Sequence, residues 1–142
     1  MAVRKAQAIW KGNLAQGTGT VSSETGSVNG TYSAASRFES GAGTNPEELL
    51  GAAHAACFSM ALSHELAEAG HKPVSVDTTA RVSIEKADGG FTITRIDLVT
   101  TADVPGIDDA TFQSIAKGAK SGCPVSRALS SVPISLVATL TH

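Results

Sequence analysis

The sequence has little of several residue types, and each shortage argues against a class of protein. Only 2 of its 142 residues are cysteines, too few for the disulfide framework of a small secreted protein. The aromatic residues are 1 Trp, 1 Tyr and 4 Phe, too few for the stacking platforms that bind single-stranded nucleic acid. Because 11 Lys and Arg face 13 Asp and Glu, no excess of positive charge favours a nucleic-acid partner.

Long hydrophobic runs are also missing. The longest apolar, charge-free stretch, residues 49–64, is shorter than the ~20 residues of a membrane-spanning helix. Residues 1–11 lack the apolar segment of a signal peptide. We therefore expect a soluble cytoplasmic protein with no membrane partner. A chain of 142 residues with 42 % hydrophobic residues fits one globular domain over residues 1–142, and nothing in it suggests a cofactor or a metal.

The order of hydrophobic periodicities predicts an α+β fold with the element order β-β-β-α-β-β-α-α-β. Asn29 and Gly30 suggest a hairpin turn, followed by a strand over residues 31–38. The clearest strands are predicted over residues 74–86 and 91–103, the second with a bulge near Thr94 or Arg95. A helix capped by Asp108 or Asp109, a short helix over residues 123–130 and a strand over residues 134–140 complete the chain.

The longest predicted helix covers residues 46–69. Asn45 suits its N-cap, Pro46 its first position and Glu48 a capping box, while Gly70 is a natural stop. Residues 49–62 are apolar around the whole helix, which predicts that the helix is buried on most sides.

Cys57 lies in this helix and Cys123 at the start of the next short one. A buried cysteine is commonly an inert small hydrophobe, whereas a helix N-terminus lowers the pKa of a thiol. Two reduced thiols permit a reversible disulfide, although their spacing does not show that they meet. His54, three residues before Cys57, permits a cysteine hydrolase or acyltransferase. A zinc site formed by His54, Cys57 and Cys123 would lack the usual ligand spacing.

Arg37 and Glu47 are unremarkable when taken singly. On the predicted strand, Arg37 points away from Tyr32 and Phe38, as expected of a solvated face. Glu47 falls in the first turn of the long helix, where the helix dipole favours acidic residues.

Taken together, these segments resemble the OsmC/Ohr family of thiol peroxidases. The resemblance rests on residues 43–62 (GTNPEELLGAAHAACFSMAL) and 122–126 (GCPVS), and it extends to Trp10 and to residues 36–39, 74–79 and 104–107. It covers nearly the whole chain. The context of His54 and the GCPVS form are similar to the OsmC branch.

The resemblance implies an OsmC-like fold, with antiparallel and mixed sheets around a long central helix, in an intertwined homodimer. It implies that Cys57 attacks an organic hydroperoxide, that Cys123 resolves the resulting sulfenic acid into a disulfide, and that an external dithiol of lipoyl or thioredoxin type reduces the disulfide. It also implies that Arg37 stabilises the thiolate and that Glu47 orients Arg37. The expected role is defence against oxidative stress.

Physical chemistry supports these roles and adds a geometric condition. A thiol on an apolar helix needs a nearby cation to ionise at neutral pH, and a buried arginine needs a carboxylate partner. Glu47 and Cys57 are ten positions apart, which on one helix means ~15 Å of rise and ~80° of rotation. We therefore expect two helices to pack antiparallel, so that Glu47 of one subunit serves Cys57 of the other.

Three functional classes remain open at this point. They are a thiol peroxidase, a hydrolase or acyltransferase built on Cys57 and His54, and a non-catalytic dimeric module.

Overall fold

Helices and strands are both abundant, which confirms the predicted α+β class. The computed structural model describes residues 1–141 and divides into two units, one over Met1–Leu49 and one from Leu50 onward. A single domain over residues 1–142 stays a prediction.

The first unit is built on a three-stranded antiparallel sheet. Its strands are β1 (Ala6–Lys11), β2 (Thr18–Ser23) and β3 (Asn29–Tyr32), in the order β1-β2-β3. Gly19 pairs with both Trp10 and Tyr32, whose ring centroids are 5.3 Å apart. A Cβ at Gly19 would lie 2.6 Å from the Tyr32 ring, so only glycine fits between these two rings.

The predicted hairpin turn and the strand after it are wrong. Asn29 and Gly30 begin β3, and the turn before it contains Gly26, whose φ is +78°. The predicted strand over residues 31–38 ends at Tyr32, and a short helix, α1 (Ala34–Phe38), follows it. Ser33 and Ser36 cap α1 reciprocally, each side chain accepting the other's backbone N–H. Arg37 therefore lies in the last turn of a helix.

The long helix α2 runs over Pro46–Glu68, close to the predicted bounds. The Asn45 side chain accepts the backbone N–H of Glu48 at 2.7 Å, as an N-cap should. The Glu48 carboxylate accepts the hydroxyl of Thr44. After the helix, Gly70 takes a φ of +88° and the N–H of His71 bonds to the carbonyl of Leu66.

The second unit contains a mixed three-stranded sheet. Its strands are β4 (Ser75–Ala87), β5 (Gly90–Asp103) and β6 (Ile134–Thr141), with β4 antiparallel and β6 parallel to β5. The register shifts after Ser83, because Ser83 pairs with Arg95 and Ile84 with Ile93. Thr94 is thus the extra residue of a bulge, at the position that the sequence predicts.

Two helices connect the parallel strands β5 and β6. They are α3 (Asp109–Gly122), whose N-cap is Asp108, and α4 (Pro124–Ala128). Helices α2 and α3 pack on the sheet through fully buried side chains, which are Phe58, Leu62, Leu66, Phe112, Ala116 and Ala119 from the helices and Ile96, Leu98 and Ala102 from β5. Gly51 lets α2 approach β4, since a Cβ there would lie 3.3 Å from the Ala80 carbonyl oxygen.

The expectation that α2 is buried on most sides is wrong for the single chain. His54, Phe58 and Leu62 are buried on one face, whereas Ala52, Ala53, Ala56 and Met60 are exposed. Met60 is 75 % exposed. Residues 49–62 are apolar around the whole helix, yet within residues 1–141 only one side of this stretch is covered.

Candidate active site

The two cysteines meet in the second unit. Cys57 lies near the middle of α2, and Cys123 lies between α3 and α4. Both are free thiols, and their side chains are hydrogen-bonded to each other. Cys57 is half-buried, whereas Cys123 is completely buried. The fold thus brings together two thiols that are 66 positions apart in the sequence.

Cys123 owes its position to the junction of two helices. Its backbone N–H donates to the carbonyl of Ala119 and closes α3, and Pro124 follows as the first residue of α4. Burial alone would raise the pKa of Cys123, but hydrogen bonds from Cys57, from the backbone and side chain of Ser126 and from the backbone of Val125 lower it overall.

The pKa of Cys57 shifts in the opposite direction. Burial raises its pKa, the hydrogen bond with Cys123 raises it further, and the backbone N–H of Val125 opposes the shift only in part. Within this unit the thiolate is therefore favoured on Cys123, and Cys57 needs a further positive charge to ionise at neutral pH.

His54 lies on α2 one turn before Cys57, but its observed partner is a different residue. Its Nε2 atom is 2.7 Å from the Oγ atom of Ser126. Both residues are buried, and burial lowers the pKa of His54. The structure thus joins His54 to the serine that donates to Cys123, whereas a hydrolase would require a base on Cys57.

Arg37 and Glu47 form an ion pair in the first unit. The Nε and Nη2 atoms of Arg37 both donate to the Glu47 carboxylate, with N···O distances of 3.2 and 2.7 Å to Oε1. The side chain of Glu47 is only 7 % exposed, and that of Arg37 is 34 % exposed. The guanidinium carbon also lies 5.3 Å from the centroid of the Phe38 ring. This pairing fixes the guanidinium, while the catalytic roles of both residues stay predictions.

A cavity of about 260 Å³ opens beside Arg37 in the same unit. Its walls are the side chains of Trp10, Leu14 and Tyr32, together with Ser33 and Ala34. The indole N–H of Trp10 donates to the carbonyl of Gly12, so the one polar group of this side chain is already paired. An apolar group of a small molecule could therefore be held next to the guanidinium.

Ser126 is the site residue that sequence reasoning missed. Ser126 belongs to the GCPVS motif and stands three residues after Cys123. This is the spacing at which an N-cap residue and the N3 residue of a helix contact each other. The three-residue spacing between Cys123 and Ser126 is therefore the sequence signal that could identify Ser126 as a site residue.

Two free thiols in contact are typical of a redox protein that cycles between dithiol and disulfide. The OsmC-like protein family model matches residues 39–137, and the chain belongs to this family. It is 58 % identical to peroxiredoxin OsmC of Escherichia coli strain K12 over 127 residues, 89 % of each chain. It is 38 % identical over 88 residues to organic hydroperoxide resistance protein OhrB of Bacillus subtilis strain 168, covering 61 % of this chain and 62 % of that protein.

Solved structures agree with these sequence matches. A crystal structure of an organic hydroperoxide resistance protein OsmC from Legionella pneumophila superimposes with a TM-score of 0.73 at 25 % identity, covering 98 % of this chain and 99 % of that one. The crystal structure of OhrB of Bacillus subtilis gives 0.69 at 27 % identity, covering 96 % and 98 %. The predicted family, its OsmC-like fold and the class of thiol peroxidase are confirmed, and with them a peroxide-detoxifying function.

No helix within residues 1–141 is long and apolar enough to cross a membrane. Over the same residues, no group of three or more His, Cys, Asp or Glu side chains is arranged to hold a metal ion.

Proposed function

We propose that the protein reduces organic hydroperoxides to alcohols through a sulfenic acid on Cys57 and a disulfide between Cys57 and Cys123. The observation that carries the proposal is the contact between these two thiols. A sulfenic acid on either sulfur would have a second thiol within reach, and condensation to a disulfide is the usual fate of such a pair.

The cycle has three steps. The Cys57 thiolate attacks the terminal oxygen of ROOH, an S–O bond forms, the O–O bond breaks, and the leaving alkoxide takes a proton to become ROH. Cys123 then attacks the sulfur of Cys57, an S–S bond forms, and the hydroxyl group leaves as water. An external dithiol supplies two electrons and restores both thiols. It is of either the lipoyl or the thioredoxin type.

Arg37 is the proposed source of the charge that Cys57 needs. The groups acting on Cys57 within its own unit raise its pKa on balance, so ionisation requires a cation that cannot itself lose a proton. The ion pair with Glu47 holds the Arg37 guanidinium at two of its nitrogens and leaves other N–H groups to face a sulfur.

A second copy of the chain is the proposed partner that brings these groups together. Glu47 and Cys57 both belong to α2, and ten positions on a helix correspond to ~15 Å of rise. The exposed face of α2 consists of small apolar residues around Met60, so an identical helix could approach it closely. In an antiparallel pair about a twofold axis, each active site would combine Cys57 of one subunit with Glu47 and Arg37 of the other.

The cavity beside Arg37 supports an organic substrate. An apolar pocket gains ~0.8 kcal/mol for each CH₂ group that it removes from water, and hydrogen peroxide has no such group. Trp10, Leu14 and Tyr32 could therefore bind the organic part of the hydroperoxide while its O–O bond lies near the guanidinium. Two of the relatives above, OhrB of Bacillus subtilis and the Legionella pneumophila protein, are named as organic hydroperoxide resistance proteins, in line with this preference.

The reaction of reduced protein with cumene hydroperoxide, followed by counting of free thiols, tests the proposal. We expect both thiols to disappear for each peroxide consumed, and cumyl alcohol to appear in equal amount. The matched control is the Cys57→Ser variant, which should consume no peroxide. Unchanged thiols in the wild-type protein would contradict the proposal and favour a non-catalytic module or a hydrolase.

A further inference from the structure

A buried chain of polar groups leads from α2 to the sulfur of Cys123. His54 Nε2 lies 2.7 Å from Ser126 Oγ, and Ser126 is the third residue of α4, the helix that Cys123 precedes, where its polar groups favour the charged form of the Cys123 sulfur. His54 and Cys123 are 0 % exposed and Ser126 is 5 % exposed. The proposed cycle assigns no role to His54 or Ser126.

The surroundings of His54 indicate which of its nitrogens carries the proton. Within residues 1–141, its Nδ1 atom is buried without a hydrogen-bond partner. Buried unpaired N–H groups are rarer than buried unpaired acceptors, so the proton belongs on Nε2. Burial also lowers the pKa of His54 and keeps the ring neutral. Nε2–H then donates to Ser126 Oγ, and the serine hydroxyl proton is directed to Cys123.

We infer that His54 and Ser126 are positioning residues that together hold the sulfur of Cys123 in its thiolate form. His54 acts through Ser126, because its hydrogen bond occupies the serine oxygen and leaves the hydroxyl proton for the sulfur. The backbone N–H groups of Val125 and Ser126, in the first turn of α4, also favour the charged sulfur. The assignment rests on the proposed function, since it gives the thiolate two tasks in that cycle.

The first task is resolution of the sulfenic acid. The Cys123 thiolate attacks the sulfur of Cys57, the S–S bond forms as the S–O bond breaks, and the departing hydroxide takes a proton from solvent. The second task is departure during reduction. A thiolate of the external dithiol attacks the sulfur of Cys57 and forms a mixed disulfide, while the Cys57–Cys123 bond breaks and Cys123 leaves as a thiolate that Ser126 again stabilises. The second thiol of the reductant then attacks the mixed disulfide and releases Cys57. A thiol with a low pKa leaves faster.

Other groups near Cys123 must stay constant in any test. Cys57 and His54 face it from α2, directly and through Ser126. Glu65, also on α2, has Oε1 3.7 Å from where a Cβ at Gly122 would lie, next to Cys123 in the chain. The charge of Glu65 is the same in every variant below. Differences in the pKa of Cys123 between variants therefore measure the effects of Ser126 and His54.

The test uses the Cys57→Ser protein, in which Cys123 is the remaining thiol, and follows the ultraviolet absorbance of the thiolate against pH. We expect Ser126→Ala and His54→Leu each to raise the pKa of Cys123 and to lower the ratio of thiolate to thiol at neutral pH about tenfold. His54→Gln, which keeps an N–H donor, should restore much of the ratio. Ser130→Ala, at an exposed serine of the same region, is the matched control.

An unchanged titration in folded Ser126→Ala protein would overturn the inference. If His54→Leu does not fold, Ser126→Ala and His54→Gln still decide it. This measurement needs no peroxide, so it can disprove the role of His54 and Ser126 while the peroxidase cycle stands. The test with cumene hydroperoxide can likewise disprove the cycle without changing this titration. In the protein with both cysteines, Ser126→Ala should slow disulfide closure about tenfold at neutral pH, and raising the pH should recover the rate.

Discussion

Glu47 accepts hydrogen bonds from both Nε and Nη2 of Arg37, the shorter at 2.7 Å. The contact joins the first turn of α2 to the last turn of α1. Because the Glu47 carboxylate is almost completely buried, water competes little for it, and the ion pair keeps the guanidinium in one orientation.

Replacement of Arg37 tests whether this cation acts on Cys57. In a Cys123→Ser background, we expect Arg37→Ala to raise the apparent pKa of Cys57, so that alkylation at neutral pH slows about tenfold, and Arg37→Lys to raise it less. Lysine keeps the charge but loses the fork that binds Glu47 and sulfur together. A pH profile of alkylation measures the shift, with Arg95→Ala as control. If both Arg37 variants gave the same alkylation profile as the protein that keeps Arg37, then Arg37 would have no part in the mechanism.

The order of the two cysteines can be tested by trapping the sulfenic acid. We expect Cys57→Ser to abolish turnover, and Cys123→Ser to react once with peroxide and stop as a sulfenic acid that a dimedone-type reagent labels. The result is not trivial, because the groups within the second unit favour the thiolate on Cys123. Labelling of the Cys57→Ser protein alone would reverse the two roles.

Mixed subunits test the shared active site. Cys57→Ser and Glu47→Ala proteins should each be inactive, or nearly so, as homodimers. In a heterodimer, one site would carry both lesions and the other neither, so about half of the wild-type activity per dimer should return. Exchange of subunits is verified separately with two affinity tags. A verified heterodimer without activity would place both residues of a site on one chain.

The cavity beside Arg37 predicts substrate selectivity. Leu14 lines it and is 59 % exposed, so Leu14→Ala should leave the fold intact. We expect kcat/KM for cumene hydroperoxide to fall several-fold, since apolar contact with the substrate is lost, while the value for hydrogen peroxide stays the same. Val28→Ala, another partly exposed residue of this unit, is the control. Equal losses for both peroxides would contradict a binding role.

The sequence predicted best those elements whose signals are local and agree with one another. The cap, the first turn and the stop of α2 all mark the same helix, and strict alternation marks β4. Thr94 was predictable as a bulge because the apolar residues of β5 change face there. Residues 33–38 were mispredicted because alternation of Ala and Ser fits a strand as well as a helix, and a serine pair is a weak capping signal.

The site was harder to predict from the residues alone. That Cys57 and Cys123 meet depends on the packing of α2 against the junction of α3 and α4, which no local pattern encodes. The family resemblance supplied that pairing, together with the proposed roles of Arg37 and Glu47. It did not single out Ser126, because its partner His54 lies 72 positions away in the sequence. The homodimer, the reductant and the cytoplasmic location stay predictions.

The parallel pairing of β5 with β6 has a consequence for how the protein is made. Ile96 pairs with Ile134, so the pairing closes a long loop that contains α3, α4 and Cys123. Contacts this distant in sequence form late in folding. A chain still on the ribosome would contain both Cys57 and Cys123 before β6 has emerged. We therefore expect oxidants to close the disulfide efficiently only after β6 has paired with β5.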